Sequence, residues 1–360
     1  MNVFDRIEAD GYEQVVYCQD QPTGLKAIIA IHSTSLGPSL GGTRFYPYPT
    51  EADALEDVLR LAKGMTYKAA VAGLDQGGGK AVIIGDPATD RSEGLIRAYG
   101  RYVDSLGGRY ITAEDVGTTQ ADMDLIRRET RYVTGVSPAL GGSGDPSVAT
   151  AHGVRWAMKA VAARLWGDPE LVDRRIVISG VGKVGTSLVG LLVEDGATVV
   201  VADVVPAAVA RLVDRYGDRV GAVDVASAHT APCDIFAPCA LGGVLDSARI
   251  PQLGCAAVVG SANNQLADPS CAKLLADHGI VYAPDYVVNS GGIINISEER
   301  SPTGYHQERA YAEVRRIFET TARVLAVAGE EGVTTAEAAD RIAERRIADM
   351  ARVRQIRTFR

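Results

Sequence analysis

The chain has few lysines. Of its 37 basic residues only seven are Lys, and the rest are Arg. An arginine stays protonated at any physiological pH, whereas a buried lysine can lose its proton and act as a base. A lysine retained in such an arginine-rich chain therefore indicates a position that needs an amine. Two of the seven, Lys68 and Lys80, lie twelve positions apart, and Lys80 follows three consecutive glycines.

Histidines and cysteines are also scarce, with five of each. The histidines include no H-x-x-x-H pair and the cysteines no C-x-x-C pair, so the sequence carries no zinc signature and we expect no metal site. An odd number of cysteines without such spacing predicts reduced thiols rather than a disulfide framework.

Long runs of one residue character are missing as well. The chain has no basic run and a formal net charge of −8, which argues against nucleic acid as a partner. No apolar window approaches the ~20 residues of a membrane span. The first residues are acidic and lack the apolar core of a signal peptide. We therefore expect a cytoplasmic protein whose partners are small molecules rather than nucleic acid or membrane.

What is present is an ordinary globular composition, 46% hydrophobic and 23% charged over 360 residues, which predicts two domains. The first part of the chain alternates strand and helix, which is typical of an α/β domain, and the Gly-rich segment 141–146 is the predicted linker. The elements predicted before the linker are a strand pair within 13–33, a loop at 36–44, a helix from Thr50, a strand at 81–84, a helix from Ser92, a strand at 109–112 and a helix at 122–128.

The glycines before Lys80 allow two interpretations. Gly77, Gly78 and Gly79 could form a turn with Lys80 in solvent, or they could let the backbone pass close to a ligand. A phosphate-binding P-loop fits poorly, because Leu74 stands where its first glycine belongs and Ala81 stands where Ser or Thr would hold magnesium.

The most specific pattern lies after the linker. A strand at 175–179 leads into G-x-G-x-x-G, a helix follows, and a second strand at 198–202 ends on Asp203, 23 residues after the first glycine. This arrangement predicts a Rossmann dinucleotide site with the phosphates at the helix N-terminus and Asp203 on the adenosine ribose. The residues after Asp203 are not basic, so NAD is favoured over NADP. The predicted cofactor-binding residues of this unit are Gly180, Val181, Gly182, Lys183, Val184, Gly185 and Asp203.

A hydride acceptor in one domain requires chemistry from the other. Asp115, directly after a predicted strand, could be a loop carboxylate, a helix cap or a proton carrier. With one of the two lysines to hold a carboxylate and the other as a base, these groups suit the oxidative deamination of an α-amino acid. Two polar segments, 261–264 and 288–292, are predicted at strand ends, where their amides could hold a carboxamide or an amine, although Asn is also common in turns.

The order of these motifs resembles one enzyme family. G-M-T-Y-K and G-G-G-K, with L-G-G-T-R before them and T-A-E-D-V-G-T-T and G-V-G-K-V-G after them, are similar to the glutamate, leucine, valine and phenylalanine dehydrogenases. The resemblance implies that Lys80 activates water as the catalytic base, that Asp115 exchanges protons with the amine and that Lys68 binds the substrate carboxylate. It places three further residues near that carboxylate: Gly41, Gly42 and Met65.

The same resemblance implies the fold. We expect an N-terminal α/β substrate domain at 1–140, a Rossmann NAD-binding domain at 141–330 and C-terminal helices at 331–360 that return to the first domain, with the active site in the cleft between the domains. It also implies a homo-oligomer. Thr150, Ala237 and Asn263 are assigned to the cofactor site, and Asn289 is assigned to the substrate amine.

The resemblance also bears on the substrate. Glutamate dehydrogenases have a P-x-K-G-G segment whose Lys holds the side-chain carboxylate, and Leu40 replaces that Lys here. Leu40, Ala113 and Val287 therefore imply an apolar pocket, and Leu, Val or Ile as the amino acid converted to a 2-oxo acid, ammonia and NADH. Two alternatives stay open: an aromatic substrate such as Phe or Trp, and a catalytically inactive NAD-binding module.

Overall fold

The structure is a computed structural model that describes residues 3–353. Within these residues the chain forms eleven strands and thirteen α-helices, divided into two compact units. The first unit comprises the residues up to Asp145, Ile296–Gln307 and those from Ala343 onward; the second comprises Pro146–Asn295 and Glu308–Ile342. Among residues 3–353, every helix is too short or too polar to span a bilayer.

The first unit contains a five-stranded mixed sheet. Its strands are β1 (Gln14–Asp20), β2 (Leu25–Ser33), β3 (Ser39–Tyr46), β4 (Gly77–Ile84) and β5 (Tyr110–Glu114). The spatial order is β1-β2-β4-β3-β5. β2 runs antiparallel to β1 and β4, whereas β3 runs parallel to β4 and β5. The predicted strand pair within 13–33 is therefore confirmed.

Helices cover both faces of this sheet. The helices that precede the linker segment 141–146 in sequence are α1 (Val3–Asp10), α2 (Glu51–Val71), α3 (Glu93–Ser105) and α4 (Gln120–Arg127). Thr50 caps α2 by accepting a hydrogen bond from the Asp53 amide, as its sequence pattern predicts. The apolar side of α2, including Val58 and Ala62, packs with Val82 on one face of the sheet. α3 and α4 pack on the opposite face around Ala81 and Ile83.

One prediction in this unit is wrong, and one of two open interpretations is excluded. The segment 36–44 is not a loop from Ser39 onward, because it forms the interior strand β3. Gly77–Gly79 do not form a solvated turn, because they begin β4 and are buried. In both cases the glycines are there because the backbone is crowded: a Cβ on Gly41 would lie 1.8 Å from the Gly79 oxygen, and one on Gly78 would lie 2.1 Å from the Thr66 nitrogen.

The second unit contains a six-stranded sheet in which every pair of neighbouring strands is parallel. Its strands are β6 (Arg175–Ser179), β7 (Thr198–Ala202), β8 (Val220–Ala222), β9 (Ile235–Pro238), β10 (Ala257–Val258) and β11 (Val281–Tyr282), in the order β11-β10-β9-β6-β7-β8. The helices from the linker to the end of the described chain are α5 (Ser147–Trp166), α6 (Lys183–Glu194), α7 (Pro206–Tyr216), α8 (Cys271–Asp277), α9 (Asp285–Val288), α10 (Gly291–Ser297), α11 (Gln307–Arg315), α12 (Ile317–Glu331) and α13 (Thr335–Val353). The predicted strand–loop–helix–strand unit at 175–202 is confirmed.

The unit boundaries differ from the predicted ranges in three places. Residues 141–145 and 296–307 belong to the first unit, and residues 331–342 belong to the second. The last difference arises because α13 is one continuous helix shared by both units. In the part assigned to the first unit, Arg346 donates to the carbonyl oxygens of Gly73 and Leu74 at the end of α2, where a cation is favoured.

Candidate active site

Lys80 and Asp115 form an ion pair on the α2 side of the first sheet. Lys80 Nζ lies 2.5 Å from Asp115 Oδ2. Lys80 is in the middle of β4, opposite Ala30 of β2, and is only 7% exposed. Asp115 directly follows β5, as the sequence predicts. Because side chains alternate along a strand, Lys80 shares a face with Gly78 and Val82, the face that α2 covers.

Arg44 of β3 is a second cation beside Asp115. Its Nε lies 3.7 Å from Asp115 Oδ2, and its Nη1 donates to Asp57 Oδ2 of α2 at 2.8 Å. Asp57 is held in turn by the Tyr48 hydroxyl at 2.6 Å and by Arg60 at 2.9 Å. Arg44 therefore links the carboxylate at the end of β5 to a charged network on α2.

The protonation of Asp115 follows from these contacts. Burial alone would raise the pKa of the Asp115 carboxyl, but the charges of Lys80 and Arg44 outweigh it, and the pKa is lower than usual. Burial would lower the pKa of the Arg44 guanidinium, but Asp115 and Asp57 outweigh it and raise the pKa. Asp115 is therefore held as a carboxylate between two cations.

The predicted carboxylate-binding residues lie around this pair. A Cβ on Gly42 would lie 2.8 Å from Asp115 Cβ, and one on Gly41 would lie 3.4 Å from Met65 Cγ. Lys68 follows Met65 by one turn of α2, so the two share a helix face. The structure thus brings Gly41, Gly42 and Met65 close to the pair, with Lys68 one turn further along α2.

The three residues predicted to line an apolar substrate pocket have almost no exposed surface. Leu40 and Val287 are 0% exposed and Ala113 is 3% exposed. Leu40 therefore offers no surface to a ligand. Its effect on the substrate is that this position carries no positive charge. Ala237 is also 0% exposed, inside β9 opposite Ile178, so its predicted contact with the cofactor is not reproduced.

The glycine loop of the second unit has the geometry that the motif demands. Gly180 has a φ of +106°, a conformation that favours glycine. A Cβ on Gly185 would lie 2.0 Å from the Gly180 oxygen, whereas one on Gly182, at the N-cap of α6, would meet no atom within 4 Å. The open space at Gly182 fits the close approach of a phosphate to a helix N-terminus.

The remaining loop residues complete this turn. Asp203 accepts hydrogen bonds from the amides of Val181 at 2.7 Å and Val205 at 2.8 Å, which fixes the carboxylate at the end of β7. Lys183 is exposed and begins α6, and Val184 follows it. The residues present therefore fit a dinucleotide.

The predicted amide residues lie near one another in the second unit. Asn289 Nδ2 donates to Asn263 Oδ1 at 2.7 Å and to the Ser261 oxygen at 3.1 Å. Asn289 Oδ1 is buried and accepts no hydrogen bond from any residue between 3 and 353, which leaves an acceptor for a ligand. Thr150 lies in the first turn of α5, and a Cβ on Gly292 would be 2.7 Å from its Oγ1. The prediction that 288–292 ends a strand is wrong, because Asn289 lies between the short helices α9 and α10.

Two contacting residues were not identified from the sequence. Arg44 belongs to the L-G-G-T-R motif, but with 36–44 predicted as a loop nothing indicated that it shares a face with Lys80. Ala240, rather than Ala237, lies against the glycine turn, since its nitrogen would be 2.7 Å from a Cβ on Gly180. Within residues 3–353, no cluster of three or more His, Cys, Asp or Glu side chains could hold a metal ion.

Comparison with known families gives matches over almost the whole chain. The profile of the Glu/Leu/Phe/Val dehydrogenase dimerisation domain matches residues 12–132. The Glutamate/Leucine/Phenylalanine/Valine dehydrogenase profile matches residues 141–210 and 207–355.

Individual relatives are similar at high identity. A valine dehydrogenase of Streptomyces virginiae is 56% identical over 340 residues, which cover 94% of each chain. A leucine dehydrogenase of Geobacillus stearothermophilus is 51% identical over 98% of this chain and 95% of its own. The crystal structure of L-tryptophan dehydrogenase from Nostoc punctiforme superposes with a TM-score of 0.85 at 42% identity, covering 97% of this chain and all of that one.

Proposed function

Because the chain belongs to the glutamate/leucine/phenylalanine/valine dehydrogenase family, we propose that it catalyses the reversible, NAD-dependent oxidative deamination of an apolar L-amino acid. The products are the 2-oxo acid, ammonia and NADH, and the preferred substrates are Leu, Val and Ile. The pair formed by buried Lys80 and partly buried Asp115 is the observation that carries the proposal, because it provides a base and a proton carrier on one sheet face.

Four residues of the first unit have different roles in binding and converting the substrate. Lys68 holds the α-carboxylate as a point charge, with Gly41 and Gly42 near it. Asp115, kept ionised by its two cations, accepts a proton from the substrate ammonium so that the amine is neutral. Lys80, after releasing its own proton to solvent, takes a proton from the water that attacks the substrate imine. Arg44 is a positioning residue that keeps Asp115 charged and in place.

The second unit holds the dinucleotide. Bound NAD would supply the hydride acceptor for the Cα–H bond. Gly182 and the N-terminus of α6 hold the pyrophosphate, and Asp203 binds the adenosine ribose. NAD is preferred to NADP because a 2′-phosphate would meet the Asp203 carboxylate, and the next residues, Val204 and Val205, are exposed and uncharged. A fluorescence titration should show tighter binding of NADH than of NADPH. Equal affinity for the two would show that Asp203 does not determine the preference for NAD.

The apolar substrate follows from Leu40. The side-chain carboxylate of glutamate would need a cation there, and a buried carboxylate without one is strongly disfavoured. The valine and leucine dehydrogenases among the relatives agree with this choice. Initial rates of NADH formation with Leu, Val, Ile, Phe, Trp and Glu test it. A branched-chain amino acid should give the highest kcat/KM, and Glu should give no measurable rate.

The aromatic alternative has one specific observation in its favour, the likeness to an L-tryptophan dehydrogenase. If Phe or Trp exceeds Leu and Val in kcat/KM, the branched-chain assignment fails while the reaction type stands. The non-catalytic alternative gives no rate with any amino acid, although NADH still binds. A module that only binds NAD would have no use for a lysine and an aspartate buried together in the other unit, and burying such a pair is costly.

We also propose that the enzyme is a cytoplasmic homo-oligomer. The match of residues 12–132 to a dimerisation domain supports self-association. All five cysteines are free thiols, which fits a reducing compartment. Size-exclusion chromatography with light scattering should give a mass that is a multiple of the single chain, and a monomeric mass at micromolar concentration would contradict the proposal.

A further inference from the structure

Two cysteines outside the proposed site lie side by side, each just before one of two neighbouring strands of the second sheet. Cys233 precedes β9 and Cys255 precedes β10, and these strands are paired with Ile235 opposite Ala257. The pairing continues before both strands, because the Cys233 amide donates to the Gly254 oxygen at 2.9 Å and the Ala256 amide donates to the Asp234 oxygen at 3.1 Å. Cys233 and Cys255 are therefore neighbours on adjacent segments.

The spacing of paired strands brings the two sulfurs within reach of one another. Neighbouring strands lie about 5 Å apart, within the Cα separation that a disulfide needs. The Cys255 side chain is close enough to that of Cys233 for each to shift the pKa of the other thiol. Both residues are partly exposed, whereas Cys18 and Cys271 are buried. The pair is thus accessible to a small reagent from solvent.

The two thiols differ in character. The neighbouring Cys255 side chain lowers the pKa of the Cys233 thiol, with a smaller contribution from the Val177 amide, despite the opposing effect of burial. The Cys233 side chain, together with burial, raises the pKa of the Cys255 thiol. Because the thiolate is the nucleophilic form, Cys233 is the thiol that attacks an oxidant first.

We propose that Cys233 and Cys255 form a peroxide-oxidised thiol pair that closes reversibly to an intramolecular disulfide. The Cys233 thiolate attacks hydrogen peroxide, so that an S–O bond forms, the O–O bond breaks and hydroxide leaves to become water. Cys255 then attacks the resulting sulfenic sulfur, an S–S bond forms, and the oxygen leaves as a second water. In sum, two thiols lose two electrons and two protons, and one peroxide is reduced to two waters.

The site is remote from the proposed chemistry within its own sheet. The cysteines lie at the amino-terminal ends of β9 and β10, whereas the glycine turn follows the carboxyl end of the parallel strand β6. Cys239, after the other end of β9, is separated from Cys233 by the length of that strand and cannot pair with it. Oxidation of this pair should therefore leave NADH binding unchanged.

The full-length enzyme treated with hydrogen peroxide, with free thiols then blocked, tests the proposal by intact mass and peptide mapping. The expected product is a monomer-mass species that has lost two hydrogens, with a cross-link between the peptides of Cys233 and Cys255, reversed by dithiothreitol. The Cys255→Ser variant should stop at a Cys233 sulfenic acid that dimedone traps. A Cys271→Ala variant, the matched control, should still form the disulfide.

Three results would overturn the proposal. They are an intact mass that does not change under peroxide, a disulfide that links Cys233 or Cys255 to another residue or another chain, and oxygen addition at Cys233 without closure in the wild type. If Cys255→Ser does not fold, the same peptide mapping on the wild type, with and without dithiothreitol, still decides the outcome.

Discussion

The two glycine-rich segments, Gly77–Gly79 and Gly180–Gly185, contain glycine for opposite physical reasons. In the first, no glycine has a positive φ, and each is required because an added Cβ would overlap backbone or a neighbouring ring. In the second, Gly180 turns the chain with a φ of +106°, and Gly182 faces open space. The first segment lets protein pack against protein, and the second leaves room for a ligand.

This difference explains how Lys80 comes to lie inside a sheet. Without a side chain on Gly78, α2 can lie directly on β4, and that helix carries Met65 and Lys68. Close contact between α2 and the sheet also excludes water from one side of the Lys80–Asp115 pair. The glycines before Lys80 therefore act on the candidate site through packing rather than through contact with a ligand.

Replacing Gly78 should produce the largest effect. In Gly78→Ala the new Cβ would lie 2.1 Å from the Thr66 nitrogen and 2.5 Å from its Cα, so the backbone of α2 has to move. We expect destabilisation beyond ~4 kcal/mol, seen as loss of soluble protein or a large fall in the thermal unfolding midpoint. An unchanged midpoint would mean that α2 does not rest on β4 at this position.

Removing the Lys80 amine should abolish most activity while the second unit is unaffected. For Lys80→Ala we expect kcat/KM to fall by ~10²–10⁴, the usual contribution of a positioned base, with NADH affinity unchanged in a fluorescence titration. Lys63→Ala is the matched control, since Lys63 lies on α2, is paired with Asp10 and is exposed. If the two variants have the same rate, Lys80 has no part in the mechanism.

The sequence predicts the second unit better than the first, for a physical reason. The G-x-G-x-x-G turn is a local device, with strand, turn, helix and acid in one continuous segment, so its residues 175–203 are found as predicted. The first site is assembled from β3, β4, β5 and α2, which are distant in sequence. There the composition of 36–44 indicated a loop, and that of 77–79 left a turn and a ligand contact both open, because the clashes that require glycine come from other strands and from α2 and cannot be read locally. The role of Arg44 was missed for the same reason.

Adding a methyl group at the open glycine should separate binding from stability. Gly182 has a φ of −67° and free space around its Cβ direction, so Gly182→Ala should fold with an unchanged thermal midpoint. If the pyrophosphate approaches this backbone, NADH affinity should fall on the order of tenfold, or ~1.4 kcal/mol. Gly185→Ala, with a Cβ 2.0 Å from the Gly180 oxygen, should instead lose stability. Undiminished NADH affinity in Gly182→Ala would place the cofactor elsewhere.

Arg44 should tune the pH dependence rather than the maximum rate. Lys80 and Arg44 lower the pKa of Asp115, so removing one cation in Arg44→Gln raises it, and the acidic limb of the kcat/KM profile should move to higher pH. The stability that this depressed pKa contributes is present above the ordinary carboxyl pKa of about 3.9 and is lost as the pH falls through the lower folded value. The Arg44→Gln variant should therefore lose less folding free energy than the wild type as the pH falls through this range.

Arg60→Gln provides the control for Arg44. Arg60 also binds Asp57, but from the solvent side of the network, at 53% side-chain exposure. It should leave the acidic limb in place. If both variants move the limb equally, Arg44 acts through the packing of Asp57 and not through its charge on Asp115.

The smallest effect should come from a third glycine, Gly64, which has neither of the two roles. It lies within α2, two residues before Thr66, and an added Cβ would meet no atom within 4 Å. Alanine is the better helix former, so Gly64→Ala should raise the free energy of unfolding by about 0.5–1 kcal/mol in a urea titration. A methyl group on Gly78 displaces the same helix, so Gly78→Ala should lower the free energy of unfolding while Gly64→Ala raises it. Opposite changes in the two variants would show that glycine is required next to Lys80 by the contact between α2 and β4 and not by helix propensity. Destabilisation by Gly64→Ala would instead mean that this face of α2 is covered by something outside the single chain, and a second copy of the chain would be the first candidate to examine.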